Sequence, residues 1–129
     1  MSTTTASRRA LILFAHGSRD PEWAAPFRAI QRSIAAKKPE LAVELAFLEI
    51  MEPALADAVT RLTTSGHTHF TIAPLFMAQG AHLKRDLAEI LGKIRNRHPD
   101  IQLTLLPAAG EVDEIVDAIS GWLESRASL

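Results

Sequence analysis

The chain has 129 residues, the length of one domain. With 47% hydrophobic and 22% charged residues, its composition excludes a chain that is disordered throughout. A net charge of −1 argues against general nucleic-acid binding, and no apolar run approaches the roughly 20 residues that cross a bilayer. Without cysteine, disulfides, thiolate zinc sites, Fe–S clusters and cysteine nucleophiles are all excluded. His, Asp and Glu remain as the strong metal ligands.

The N-terminal segment is polar and rich in Ser, Thr and Ala, and it lacks the apolar stretch of a signal peptide. We expect a flexible tail over residues 1–8 and a single domain over residues 9–129. The predicted location is cytoplasmic.

The first predicted element is a strand over residues 10–15, whose continuous apolar run is typical of a strand buried on both faces. Asp20 and Pro21 then predict a helix cap followed by proline at the first helical position. The following apolar residues share the spacing of one helix face. They are Trp23, Phe27, Ile30 and Ile34.

Three further strand–helix units follow, with predicted strands over residues 42–48, 70–76 and 101–106. The last predicted helix carries the apolar residues Val112, Ile115, Val116, Ile119, Trp122 and Leu123. Strands that alternate with helices predict an α/β fold with a parallel sheet and helices on both faces. We expect a three-layer αβα domain of the flavodoxin-like type, with strand order 2-1-3-4. Its two exposed edges favour pairing with a second copy.

Three polar side chains follow the ends of three different strands. His16 follows the first strand, Glu49 the second and His82 the third. Because ligands of parallel α/β sheets bind beyond the carboxyl ends of the strands, these residues form the candidate site. Two imidazoles and a carboxylate suit transient binding of Co²⁺, Ni²⁺ or Fe²⁺, whereas a closed zinc site needs a fourth ligand. Alternatively, His16 caps a turn and His82 caps a helix.

The remaining histidines are weaker candidates for a catalytic or metal-binding role. His67 and His69 precede the third strand and lie at its amino end, opposite the candidate site, where they could bind a metal only adventitiously. His98 ends the third helix, where a cation is favourable, and its predicted role is structural. Asp86 lies one helical turn after His82 and either orients that imidazole or is an exposed carboxylate.

Two motifs resemble those of the small sirohydrochlorin chelatases, class II enzymes that insert Co²⁺, Fe²⁺ or Ni²⁺ into a tetrapyrrole. The motifs are His16-Gly17-Ser18-Arg19-Asp20-Pro21 and Pro74-Leu75-Phe76-x-x-x-Gly80-x-His82-x-x-x-Asp86. The resemblance covers about residues 10–122. It implies metal binding by His16 and His82, assistance by a carboxylate at Glu49, and a homodimer. The His-rich stretch of some members is missing, so no particular metal is implied.

Metal insertion expels two pyrrole protons, which requires bases that work near neutral pH, and histidine and glutamate can serve. The macrocycle also needs an apolar slot, for which the flanking loops offer Leu75, Phe76, Met77 and Met51. Arg19, Lys84 and Arg85 are candidates for pairing with the carboxylates of sirohydrochlorin. The alternatives are ordinary core packing for the apolar residues and solvated surface charge for the cations.

The sequence therefore predicts a homodimeric cytoplasmic chelatase that adds Co²⁺ to sirohydrochlorin on the way to cobalamin. The alternatives for the metal are Fe²⁺, for siroheme synthesis, and Ni²⁺. The metal is predicted to be a substrate, and no organic cofactor is expected. A non-catalytic carrier of metal or tetrapyrrole would use the same residues. A histidine-type phosphatase is a further alternative, but such enzymes usually place Arg before the histidine, where this chain has Ala15.

Overall fold

The strands form where the apolar runs predict them, and all of them pair in parallel. A computed structural model describes residues 8–128 of the chain. The strands are β1 (Arg9–Ala15), β2 (Ala42–Phe47), β3 (His69–Pro74) and β4 (Gln102–Leu105). Their order in the sheet is β2-β1-β3-β4, which confirms the predicted topology.

Helices cover both faces of this sheet, as expected for parallel strands. They are α1 (Ala25–Lys37), α2 (Leu55–Thr64), α3 (Ala81–Arg97) and α4 (Asp113–Ala127). Alternate side chains of β1 enter two separate cores: Ile12 and Phe14 pack with residues of α2 and α3, and Leu13 packs with residues on the α1 side. The three-layer prediction is confirmed, and β1 is buried on both faces.

The connection from β1 to α1 begins with the predicted cap. The Asp20 side chain accepts a hydrogen bond from the Glu22 backbone N–H at 3.0 Å, and a short 3₁₀ helix over Pro21–Ala24 precedes α1. Three of the four residues on the predicted apolar face of α1 pack against the core. The fourth, Ile30, does not, because it is 41% exposed.

The last helix forms as predicted, but its apolar face is not buried. No residue of α4 is buried among residues 8–128, and Trp122 and Leu123 are 59% and 54% exposed. The adjoining Leu105 and Leu106 at the end of β4 are also exposed. The helix itself was predicted correctly, and its apolar residues stay largely exposed because the short β4 offers little surface for α4 to cover.

The predicted tail lies outside the described residues, apart from Arg8, whose carbonyl accepts a hydrogen bond from the Thr68 N–H at 2.9 Å. Within residues 8–128 there is no helix with the length and apolar character needed to span a membrane. The register aligns the ends of three strands, since Ala15 pairs with Phe47 and Phe14 pairs with Pro74. The loops after β1, β2 and β3 therefore begin at one edge of the sheet.

Candidate functional site at the carboxyl edge of the sheet

The backbone brings His16 and Glu49 together just beyond the strands. The Leu48 N–H donates to the Ala15 carbonyl at 2.9 Å, and the Glu49 N–H donates to the His16 carbonyl at 3.1 Å. These bonds continue the pairing of β1 with β2 by one step past the last strand residues. Two residues 33 positions apart in sequence thus become neighbours through sheet register alone.

The two side chains contact each other. His16 Nε2 lies 3.2 Å from Glu49 Oε2, and both side chains are about half exposed, at 52% and 56%. The Phe76 ring meets the imidazole edge-on, with centroids 6.2 Å apart. This imidazole–carboxylate pair can accept protons or bind a metal, and solvent reaches both groups.

Gly17 fits where no other residue would. A Cβ built on Gly17 would lie 1.9 Å from the carbonyl oxygen of Glu49, which is far inside any permitted contact. Its φ of +104° is also a conformation that L side chains rarely adopt. The glycine in the first motif therefore allows the Glu49 backbone to lie directly over the turn that carries His16.

Ile50, the residue after Glu49, has a strained backbone. Its φ is +71°, and the Met51 N–H donates to the Glu49 carbonyl at 2.7 Å, as in the rare classic γ-turn. Such a conformation costs on the order of 1–3 kcal/mol and is uncommon for a β-branched residue. Sequence reasoning missed Ile50, since no sequence pattern indicates a left-handed isoleucine.

The second predicted histidine lies apart from this pair. His82 is in the first turn of α3, its side chain is 85% exposed, and its Nε2 lies 3.9 Å from Asp86 Oδ2, one turn further along the helix. Among residues 8–128 no group of three His, Asp or Glu side chains is arranged to hold a metal ion. The structure thus joins His16 with Glu49 and His82 with Asp86, but it does not join these two pairs.

The predicted apolar slot divides into buried and exposed side chains. Phe76 is only 8% exposed and packs edge-on against Phe14 as well as His16. Leu75 and Met51 pack against the core on the α1 side. Met77, in contrast, is 64% exposed. Of these four side chains, Met77 is the most accessible to a ligand.

The three predicted cations are exposed, and none of them forms an ion pair within the described part of the chain. Arg19 lies in the turn after His16, and Lys84 and Arg85 follow His82 on α3. Lys84 also lines a cavity of about 370 Å³ between the start of α3 and the segment after β4. All three remain available to a charged partner.

The other histidines lie elsewhere and have local partners. His67 Nδ1 lies 3.1 Å from the Leu62 carbonyl, and His69 Nδ1 lies 2.9 Å from the hydroxyl of the adjacent threonine. Both precede or begin β3, at the opposite end of the sheet from His16. His98 follows α3 and contacts the Thr60 hydroxyl at 2.9 Å, which ties α3 to α2.

The family of this protein follows from its similarity to known proteins. The CbiX family model matches residues 10–125, nearly the whole chain. The chain belongs to the CbiX family. This membership confirms the resemblance drawn from the two motifs, and it places the His16 and His82 motifs within the matched region.

Individual relatives of this CbiX chain carry chelatase names. The sirohydrochlorin cobaltochelatase of Saccharolobus solfataricus is 30% identical over 115 residues, which cover 84% of this chain and 88% of that protein. The sirohydrochlorin ferrochelatase of Bacillus subtilis is 26% identical over 112 residues, covering 87% of this chain but 43% of that longer protein. A crystal structure described as a cobalamin (vitamin B12) biosynthesis CbiX protein, from Marinobacter aquaeolei VT8, superposes with a TM-score of 0.80. It is 27% identical, and the match covers 92% of this chain and 96% of that chain.

Proposed function

We propose that this CbiX chain is a chelatase that inserts a divalent metal ion into sirohydrochlorin. The observation that carries the proposal is the match to the Saccharolobus cobaltochelatase, which extends over most of both chains. The imidazole–carboxylate pair at the carboxyl edge of the sheet supplies groups suited to that chemistry.

The reaction exchanges one M²⁺ for two pyrrole protons, so the site must bind a metal and accept protons. His16 in its neutral form offers a lone pair on Nε2, which serves as a metal ligand or as a base. Glu49, 3.2 Å away, accepts a proton from the imidazole or from the macrocycle. Because both side chains are half exposed, the protons can pass to bulk water after each turnover.

His82 is proposed as the second metal ligand, with Asp86 as the carboxylate that orients its ring. Their 3.9 Å separation is longer than a hydrogen bond, so the orientation is loose before the substrates arrive. A metal held by few protein ligands can be released to the four nitrogens of a macrocycle. A closed four-ligand site would retain it.

The substrate contacts divide according to exposure. Met77 offers an exposed apolar side chain for the macrocycle, while Phe76 acts from beneath, through its contact with the His16 ring. Arg19, Lys84 and Arg85 pair with the peripheral carboxylates of sirohydrochlorin.

Cobalt is the proposed metal, with iron and nickel as alternatives, because imidazole and carboxylate ligands serve all three ions. The relatives include both a cobaltochelatase and a ferrochelatase.

The experiment follows the visible spectrum of sirohydrochlorin under anaerobic conditions and compares initial rates with Co²⁺, Fe²⁺ and Ni²⁺. We expect multiple turnovers, fastest with Co²⁺. Stoichiometric binding without turnover would indicate a carrier. Phosphate release from a phosphomonoester, abolished in His16→Ala, would indicate a phosphatase.

We also propose that the chain acts as a homodimer and that α4 contributes to the interface. The exposed apolar residues of α4 and the end of β4 are only partly covered by the rest of residues 8–128; they are Leu105, Leu106, Ile115, Val116, Trp122 and Leu123. A second copy is the proposed occupant, since the B. subtilis relative, of which this chain covers 43%, carries more than twice the matched length in one chain. The cytoplasmic location and the lack of a nucleic-acid partner stay predictions.

Sedimentation of the full chain tests the dimer. We expect a dimer for the wild type, and a shift to monomer when Trp122 and Leu123 are both replaced by Ser. The substitution Ile30→Ser, at an exposed isoleucine of α1, is the control and should leave the dimer intact. A monomeric wild type would contradict the proposal.

A further inference from the structure

Ile50 combines two unfavourable features, a strained backbone and an exposed apolar side chain. Its φ of +71° is strained for a β-branched residue, and its side chain is 59% exposed. Burial in a core would compensate the strain, but most of this side chain meets solvent. Strained residues persist only where the surrounding structure fixes them, and they cluster at ligand sites, which makes Ile50 a candidate for substrate contact.

The backbone around Ile50 is firmly held. The Glu49 N–H donates to the His16 carbonyl, the Glu49 carbonyl accepts from the Met51 N–H, and the same carbonyl lies against Gly17. The γ-turn therefore fixes the direction in which the Ile50 side chain leaves the loop. This fixed apolar group directly follows the carboxylate that contacts His16.

A second exposed apolar side chain lies on the other side of His16. Met77, 64% exposed, follows β3, while Ile50 follows β2, and β1 with His16 lies between these two strands. The distance between the outer two strands is roughly 10 Å, twice the spacing of neighbouring strands. Exposed apolar residues in the two loops that flank the His16 loop suit a flat, four-ring macrocycle whose reacting nitrogens are central.

We propose that Ile50 is a substrate-binding residue that contacts the apolar ring system of the tetrapyrrole on the Glu49 side of the site. The inference rests on the proposed function and adds to it a residue outside both motifs. A second copy of the chain is the less suitable occupant, because β2 is at one edge of the sheet and β4, which leads to α4, is at the other.

Binding of metal-free sirohydrochlorin, measured by fluorescence titration without any metal, tests this role separately from catalysis. Ile50→Asn removes the apolar group while tolerating a positive φ, and Ile50→Val keeps the apolar group. Ile30→Asn is the matched control at an exposed isoleucine remote from the site. Thermal unfolding and sedimentation are measured on the same samples.

We expect Ile50→Asn to raise the Kd about tenfold without lowering the melting temperature, because burying one isoleucine is worth about that factor or more. Ile50→Val should stay within about threefold of the wild type, and Ile30→Asn within about twofold. An unchanged Kd in Ile50→Asn overturns the inference, as does a shift of that variant from dimer to monomer. If the wild type itself does not bind sirohydrochlorin, the proposed function fails as well.

Discussion

The two histidine–carboxylate pairs of this protein are built in opposite ways. His16 and Glu49 are brought together by sheet register, lie 3.2 Å apart, and are each about half exposed. His82 and Asp86 are four residues apart on one helix, and their side chains lie 3.9 Å apart. The His82 side chain is 85% exposed. The first pair depends on the whole fold, whereas the second needs only one turn of α3.

This difference indicates separate tasks. In the proposed mechanism, a pair fixed by backbone hydrogen bonds, by Gly17 and by the γ-turn at Ile50 holds its geometry while protons and metal pass through it. An exposed histidine at a helix start keeps side-chain freedom, so it can meet an arriving ion and release it. We therefore expect substitutions in the first pair to have larger effects.

The sharpest test of the comparison replaces each histidine in turn. His16→Ala should lower kcat/KM for metal insertion about 100-fold or more, the usual contribution of a group that transfers protons in the transition state. His82→Ala should cost about tenfold, mainly through a higher KM for the metal. Initial rates over a range of metal concentrations separate the two effects. If both variants keep wild-type turnover, the site assignment is wrong.

The close approach at Gly17 can be tested against Gly66, a glycine with a similar φ. Gly17→Ala should lower the free energy of unfolding by about 3 kcal/mol, because a Cβ would collide with the Glu49 carbonyl in addition to the strain of positive φ. Gly66 has a φ of +102° but nothing within 4 Å of its Cβ position, so Gly66→Ala should cost only about 1–2 kcal/mol. Urea denaturation at one protein concentration measures both. Equal losses would show that the contact contributes nothing.

The two carboxylates give the smallest contrast. Glu49→Gln keeps the size of the side chain but removes its proton acceptor, and we expect roughly a tenfold loss of kcat. Asp86→Asn should cost no more than about threefold, because an exposed pair 3.9 Å apart contributes little. Single-turnover rates at saturating metal measure this step directly. A larger loss in Asp86→Asn than in Glu49→Gln would reverse the comparison.

Much of the fold could be predicted from sequence, because each strand and helix follows from local hydrophobic patterns. The cap at Asp20 was predicted correctly from the Asp20-Pro21 pair, and the strand order was predicted correctly as part of the fold class. The patterns also predict which face of a helix is apolar, but they do not show which other residues cover that face. The exposed Ile30 and the uncovered face of α4 were missed for this reason.

The candidate site was predictable only in part. The carboxyl-edge rule located His16 and Glu49 from the ends of two strands, and the structure places them in contact. No sequence pattern predicts the conformation of Ile50, because its γ-turn lies in a loop that is held by a hydrogen bond to the separate loop after β1. Phe76 shows another limit, since an aromatic residue after a strand has the same sequence pattern whether it meets a ligand or lies beneath the site.

The exposed apolar face of α4 makes the proposed dimer depend on the concentration of the protein. Surfaces that bury one another only on encounter follow mass action, so the paired fraction falls on dilution. A covalent link between two such units would replace that encounter with an effective concentration in the millimolar range. Tandem fusion of two copies should therefore keep the α4 contact of the proposed dimer at protein concentrations where the separate chains would dissociate.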